Sequence, residues 1–240
     1  MTDSGSDQRR LFELVLFIDA EAIVVDKPAG LPVDRPRIAA ESVMDQLDEM
    51  KFGFHRPPAP VHRLDRDTSG CLLLARNPKA RASFGAAFET GQVEKTYVAV
   101  IDAVVEGEGM ITLPLAKTSS REQGWRMVAD DAGKRAVTRW RALRSDGART
   151  LVEFRPETGR THQIRAHALY GLNAPIVGDP TYGQSADLPP STGSGQAMLL
   201  HAVRLVVPRQ KHPAIDVTAP LPERFGSWRS FDELGTENEA

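Results

Sequence analysis

The chain has 240 residues, 41% hydrophobic and 26% charged, enough to bury one sizeable core or two lobes sharing a core. Its single cysteine excludes an internal disulfide and any multi-cysteine zinc site, and its formal net charge of −2 excludes a broadly basic surface. No apolar run reaches the length of a membrane span, and the opening residues MTDSGSDQRR lack the apolar stretch of a secretory signal, so a soluble, cytoplasmic monomer is expected.

In chain order, residues 1–10 read as a disordered tail, residues 11–230 as one domain, and the acidic residues 231–240 as a second tail. Leu14 to Phe17 and Ala22 to Val25 read as short strands, and Asp26 to Gly30 as a turn. Ser42 has the chemistry of an N-cap, with Asp45 in the first turn. Residues 51–60 form a proline-rich loop. The run Cys71-Leu72-Leu73-Leu74-Ala75 is short, apolar and bounded by Gly70, which predicts a buried strand with Cys71 in the core. Asn77-Pro78 is an N-cap followed by proline at the first helical position, and Gly91 suits a C-terminal cap, so a helix spans about 78–90.

Residues 95–103, 110–113, 136–143 and 150–154 alternate or are β-rich and read as strands. Residues 161–169 read as a helix after the Gly159 turn, stopped at Gly171; Ile164 and Ala168 share one face, Thr161 and Arg165 another. Residues 187–196 are a Pro/Ser/Gly loop and 199–207 a late strand. Strands with few helices predict an α+β fold with a largely antiparallel sheet.

The segment carrying the most chemistry is Val61-His62-Arg63-Leu64-Asp65-Arg66-Asp67-Thr68-Ser69-Gly70. A carboxylate sits between two arginines on a loop anchored by the following strand, an arrangement expected to favour the ionised Asp65 and to offer guanidinium groups to phosphate. Four further segments follow its logic in order: Asp26-Lys27-Pro28-Ala29-Gly30-Leu31 before it; then Glu94-Lys95-Thr96-Tyr97-Val98-Ala99-Val100; Glu157-Thr158-Gly159-Arg160-Thr161-His162-Gln163-Ile164-Arg165-Ala166-His167; and Gly178-Asp179-Pro180-Thr181-Tyr182-Gly183 with Leu200-His201-Ala202. Together, from about Leu14 to about Arg224, they resemble the RluA family of pseudouridine synthases, in its compact form without a separate N-terminal RNA-binding domain.

The resemblance implies the catalytic fold of that family, a largely antiparallel mixed sheet flanked by helices and loops around a central cleft. It implies isomerisation of uridine to pseudouridine in ribosomal RNA of the large subunit, in transfer RNA, or in both. The implied reaction needs no metal and no organic cofactor, and its partner is RNA, with no membrane and no obligatory protein partner. Asp65 then matches the catalytic carboxylate, which attacks the sugar or assists elimination across it; both routes stay open. Arg165 matches the arginine that pairs with that carboxylate, and Tyr97 the tyrosine that lies against the target base. A phenol titrates near ~10, so it needs help to act as a base. Arg63 matches the arginine that fills the gap left by a flipped nucleotide. Ile164 packs beside the uracil, and His62, Arg66 and Thr68 complete the substrate-binding set.

The overall charge is compatible with an RNA substrate. The six acids of residues 1–8 and 231–240 mask a core, residues 9–230, with 30 basic against 26 acidic side chains. Such a mild excess fits a local cleft. Target choice is expected from the loops at 31–60, 118–135 and 187–196. The basic run Arg135, Arg139 and Arg141 is expected to track phosphates. His62, His162, His167 and His201 read as hydrogen-bonding supports, since no cysteine completes a metal set. Ser69 with His62 and Asp65 has the residue types of a hydrolytic triad but lacks the G-x-S-x-G elbow. Gly133-Lys134 lacks the remainder of a P-loop. A non-catalytic RNA-binding factor on the same fold, or a hydrolase using Asp65 as nucleophile, are the competing readings.

Overall fold

The apolar run after the Asp65 loop becomes a strand deep in a single large sheet. The computed structural model describes residues 10–36, 40–120, 124–183 and 197–230. Its strands, in chain order, are β1 (Val15–Ile18), β2 (Ala22–Lys27), β3 (Ala59–Pro60), β4 (Ser69–Ala75), β5 (Glu94–Ile101), β6 (Glu108–Ile111), β7 (Leu115–Ser120), β8 (Gly124–Ala129), β9 (Thr138–Ser145), β10 (Thr150–Pro156), β11 (Leu200–Val207) and β12 (Ile215–Thr218). The helices are α1 (Val43–Gln46), α2 (Pro78–Glu89) and α3 (Gln163–Leu172), with short 3-10 turns at Leu11–Leu14, Leu47–Met50 and Glu223–Arg229.

Ten strands form one sheet in the order β1-β2-β4-β11-β5-β10-β9-β6, with β3 added on β4 and β12 on β11. The named pairings are antiparallel except β4 with β11, which run parallel where Ser69 faces His201 and Gly70 faces Ala202. That seam joins the two halves of the sheet. It demands glycine at position 70: φ is +109° and a Cβ there would lie 2.2 Å from the Ala202 carbonyl oxygen. Every residue of β4 is buried. A strand covered on both faces reads as a continuous apolar run, so the sequence pattern at 71–75 follows from its central position.

Helix α2 starts where the Asn77 side chain accepts from the Ala80 N–H at 2.9 Å, with Pro78 in the first turn. It places Ala80, Phe84 and Ala87 on one face against Val24, Leu73 and Leu205 of the sheet. Gly91, at φ +72°, follows its C-cap Thr90. At the start of α1 the Asp45 carboxylate accepts from both the backbone N–H and the hydroxyl of Ser42. Cys71 is buried, and burial pushes its thiol up to about 12, so it packs as a small apolar group.

Several expectations need correction. Asp26 belongs to β2, paired with Cys71, and the turn starts only after Lys27. Gly171 does not stop α3: the helix runs on to Leu172, and Asn173 caps it in the left-handed region. Glycine is needed at 171 because a Cβ would meet Ile111 at 2.7 Å, so it permits close packing of helix on strand. The stretch 118–135 is largely a β-hairpin, β7 with β8, built outside the main sheet. Most of its residues are exposed, so it lacks the apolar alternation by which strands are recognised. Strand β12 and the 3-10 turn at Glu223–Arg229 are too short to carry a periodic signal in the sequence. The two tails, and the loop at 187–196, fall outside the described residues apart from Arg10.

Among the described residues, no helix is long and apolar enough to cross a membrane.

Candidate active site

A cleft of about 930 Å³ opens across the seam of the sheet. Its lining draws on the Asp65 loop, on β5 through Tyr97, and on the turn entering α3 through His162 and Arg165. Five Arg or Lys side chains line it against three carboxylates, so the net-acidic chain has a locally cationic cleft.

The Asp65 loop is fixed from below. Lys27 is fully buried, and its ammonium donates to the carbonyls of Pro28 (2.8 Å), Leu31 (2.8 Å) and Arg66 (3.1 Å). Burial pulls its pKa down to about 7, opposed by Asp67 and Asp65. Three carbonyl acceptors ask for three N–H groups, which only the charged form carries. The same Arg66 carbonyl accepts from Gly30 N–H at 2.9 Å, and Thr68 N–H closes a turn on the Asp65 carbonyl at 3.2 Å. Leu64 is buried among Ile23, Val25 and Leu74, so apolar packing holds the residue next to the carboxylate.

Behind the loop, Ser69 Oγ accepts from Arg224 Nη2 (2.5 Å) and contacts His201 Nδ1 at 2.7 Å. The serine proton therefore points to the imidazole. Burial, and then Arg224, drive the His201 pKa down to about 3, so this imidazole is neutral. Ser69 thus partners His201, not His62. The His62 ring stacks on Phe88 at 4.5 Å between centroids, and its Nε2 accepts from Leu73 N–H at 3.0 Å. Burial, and then Lys95, push it down to about 3. His167 is likewise committed, to the Thr138 hydroxyl (2.8 Å) and the Leu113 carbonyl (3.0 Å).

Across the cleft, Arg165 reaches Asp65 from 100 residues away: Nη1 lies 3.1 Å from Asp65 Oδ2. Its remaining fork is taken by Asp179, Nε to Oδ2 at 2.7 Å and Nη2 to Oδ1 at 2.8 Å. Asp179 Oδ1 also accepts from Thr181 and Tyr182 N–H, at 2.8 and 3.0 Å. The bidentate pair fixes the plane of the guanidinium, so the third contact is aimed. Burial opposes the charge on Arg165, but the hydrogen bonds and charges of Asp179 and Asp65 outweigh it and raise its pKa. The Gly178–Gly183 segment is visible in the sequence, but the role of Asp179 in holding the arginine is not; the available signal was an acid between glycine and proline in a turn motif.

The remaining expected residues are placed as follows. Tyr97 is half-buried on β5 opposite Phe154, packed between two core clusters. Burial and then Asp65 raise its phenol pKa, so it carries its proton at neutral pH. Ile164 is buried with Ala99, Phe154 and Leu200 and lines the cleft wall. Thr68 is buried and also in the lining. Arg63 stands at the rim, its side chain 76% exposed, 2.8 Å from Asp34. Arg66 points into solvent outside the lining; its backbone carbonyl is the part that shapes the loop.

The run Arg135, Arg139, Arg141 does not form one track. Arg135 lines the cleft, whereas Arg139 and Arg141 sit on β9 beside a separate depression of about 350 Å³ at the β6 edge. There they lie 2.8 Å from Glu157 and 3.7 Å from Glu153. Among the described residues, no three His, Cys, Asp or Glu side chains gather to hold a metal ion.

With this geometry in view, comparison with known proteins is specific. Residues 21–170 match the family described as RNA pseudouridylate synthase. An uncharacterized RNA pseudouridine synthase of Zymomonas mobilis is 55% identical over 216 residues, covering 90% of this chain and 96% of the relative. The ribosomal large subunit pseudouridine synthase D of the same organism is 35% identical over 178 residues, 71% of this chain and 56% of that protein. Its namesake from Pseudomonas aeruginosa is 32% identical, over 88% of this chain and 69% of that one. The chain thus spans nearly all of the first relative and only part of the two longer ones. Among solved structures, human RNA pseudouridylate synthase domain containing 4 superposes with a TM-score of 0.73 at 27% identity, covering 90% and 91% of the two chains.

Proposed function

The chain belongs to the RNA pseudouridylate synthase family, in its RluA branch, and from that membership we propose that it isomerises a uridine of large-subunit ribosomal RNA at the Asp65 cleft. The ribosomal target is drawn from the names of the relatives, which are large-subunit enzymes. In the reaction the bond from uracil N1 to the sugar C1′ breaks, the base turns, and C5 bonds to C1′. The C5 proton leaves and N1 gains one, so no atom is added to the RNA overall.

The observation that carries this reading is the Arg165 fork, which presents the Asp65 carboxylate to the cleft while Asp179 locks the fork in place. A carboxylate whose position is fixed before substrate arrives loses little freedom in the reaction. Tyr97 and Ile164 would form the wall against which the extracted uracil lies. The phenol starts protonated, so it takes up the C5 proton only as its own proton passes to solvent, and solvent likewise supplies the proton that N1 gains. Arg63 and Arg135 would meet the backbone at the rim, with His62 and Thr68 supporting the loop. The activity belongs to residues 11–230, acting as a cytoplasmic monomer without metal or organic cofactor.

The test is tritium release from transcripts labelled at uridine C5, using large-subunit ribosomal and transfer RNA in parallel. Release from ribosomal RNA by the wild type, falling by at least about a thousandfold in Asp65→Asn while RNA binding survives, is expected. Release confined to transfer RNA would move the target. Full activity in Asp65→Asn would overturn the assignment, and RNA binding without release from any pool would favour a binding factor.

A further inference from the structure

His162 is the residue whose placement the catalytic roles above leave unexplained. It precedes α3 with φ +52°, in the left-handed region that a non-glycine residue adopts only at a cost. Its ring is held on three sides. Trp125 of the β7–β8 hairpin stacks on it at 4.7 Å between centroids, and Tyr182 meets it edge-on at 5.7 Å. Its Nδ1 lies 3.2 Å from Tyr182 Oη, and its Nε2 lies 3.8 Å from Asp65 Oδ2, the same oxygen that Arg165 Nη1 contacts.

The hydrogen-bond directions can be worked out. Met127 N–H donates to Tyr182 Oη at 2.9 Å. Tyr182 is only 2% exposed, so its own hydroxyl proton needs an acceptor inside the protein. Among the described residues that acceptor is His162 Nδ1. A neutral imidazole accepting at Nδ1 carries its proton on Nε2, which faces Asp65. Burial favours the neutral ring, with Asp65 acting the other way.

We propose, resting on the synthase reading above, that His162 is a further positioning residue: its Nε2–H and Arg165 Nη1 together hold Asp65 Oδ2, leaving Oδ1 to face the sugar, and Tyr182 sets the tautomer that makes this possible. The 3.8 Å separation exceeds a hydrogen bond, and the proposed role requires it to close to one in the complex with RNA.

Two measurements test this. Nitrogen-15 NMR of the histidine-labelled protein, with His162→Gln to assign the signal, should show His162 with a protonated Nε2, and Tyr182→Phe should give a mixture of tautomers. A protonated Nδ1 in the wild type would overturn the proposal. Steady-state tritium release from C5-labelled large-subunit ribosomal RNA supplies the second. His162→Phe keeps a ring for Trp125 but no donor, and should lower kcat about tenfold with KM within about twofold, while His162→Gln, whose amide supplies an N–H near the Nε2 position, stays within about threefold of wild type. Equal kcat losses in the two variants, or a loss expressed in KM alone, would reduce His162 to a structural part. If the wild type itself released no tritium, the synthase reading would fall, and the NMR result would still decide the tautomer.

Discussion

The floor of the cleft and its rim use the same residue types in opposite ways. On the floor, the Arg165 side chain is 5% exposed and bound by two carboxylates, and the Asp179 side chain is completely buried. At the rim, Arg63 is 76% exposed with one surface partner, and Arg66 is 71% exposed beside Asp67. A buried bidentate pair has its geometry dictated and resists salt, whereas an exposed pair is weak, screened and free to exchange partners. The difference suits the two tasks proposed for them: the floor would aim one carboxylate at one carbon, and the rim would accommodate a flexible polyanion.

The comparison breaks most easily at the floor. Arg165→Met removes the aim and leaves two carboxylates without their cation; we expect tritium release to drop about a thousandfold, and the fold to lose roughly 3 kcal/mol in urea unfolding. A near-normal rate would mean that the fork does not position Asp65. Asp179→Asn keeps the shape and half the acceptors but weakens the lock. Here a loss near a hundredfold in kcat is expected with KM little changed, since its side chain is completely buried; a change only in KM would assign Asp179 to binding instead.

Acid tests the floor from behind. His201 titrates near 3 in the folded chain and near 6.5 when unfolded, so between those values the unfolded state binds more protons. Stability from this group is complete above about pH 6.5 and is lost as pH falls toward 3. Going from pH 7 to pH 5, wild type should lose about 2 kcal/mol more than His201→Gln, as read from denaturant midpoints. Identical losses would show that the imidazole is not held neutral. The rim should give the smallest effect. Arg63→Ala is expected to slow the reaction a few-fold on a base-paired RNA and less on an unpaired loop, with weaker salt dependence of binding. Equal slowing on both substrates would remove its role in base extraction.

Local signals were read well where local physics dominates. The Asn77-Pro78 cap and the start of the helix that follows depend on neighbours within a few residues, and the strand at Cys71–Ala75, though paired at long range, shows its burial on both faces as a continuous apolar run. The pair β7–β8 is not legible, because most of its residues are exposed and only Leu115 and Met127 pack on the core, so no apolar alternation runs along either strand. Gly171 misled as a stop signal, because close packing against Ile111 asks for the same residue as a helix end. The spaced run Arg135, Arg139 and Arg141 looked continuous, yet only Arg135 lines the cleft.

The family, the α+β order of elements, and Asp65, Tyr97 and Arg165 as candidate site residues are legible in the chain, because the motifs are contiguous strings whose chemistry travels with them. The partners emerge only on folding: Asp179 on Arg165, His201 on Ser69, Tyr182 on His162, and Trp125 over that ring. Partner choice among buried polar groups depends on which donors and acceptors the folded chain brings within about 3 Å, across separations that no local pattern encodes.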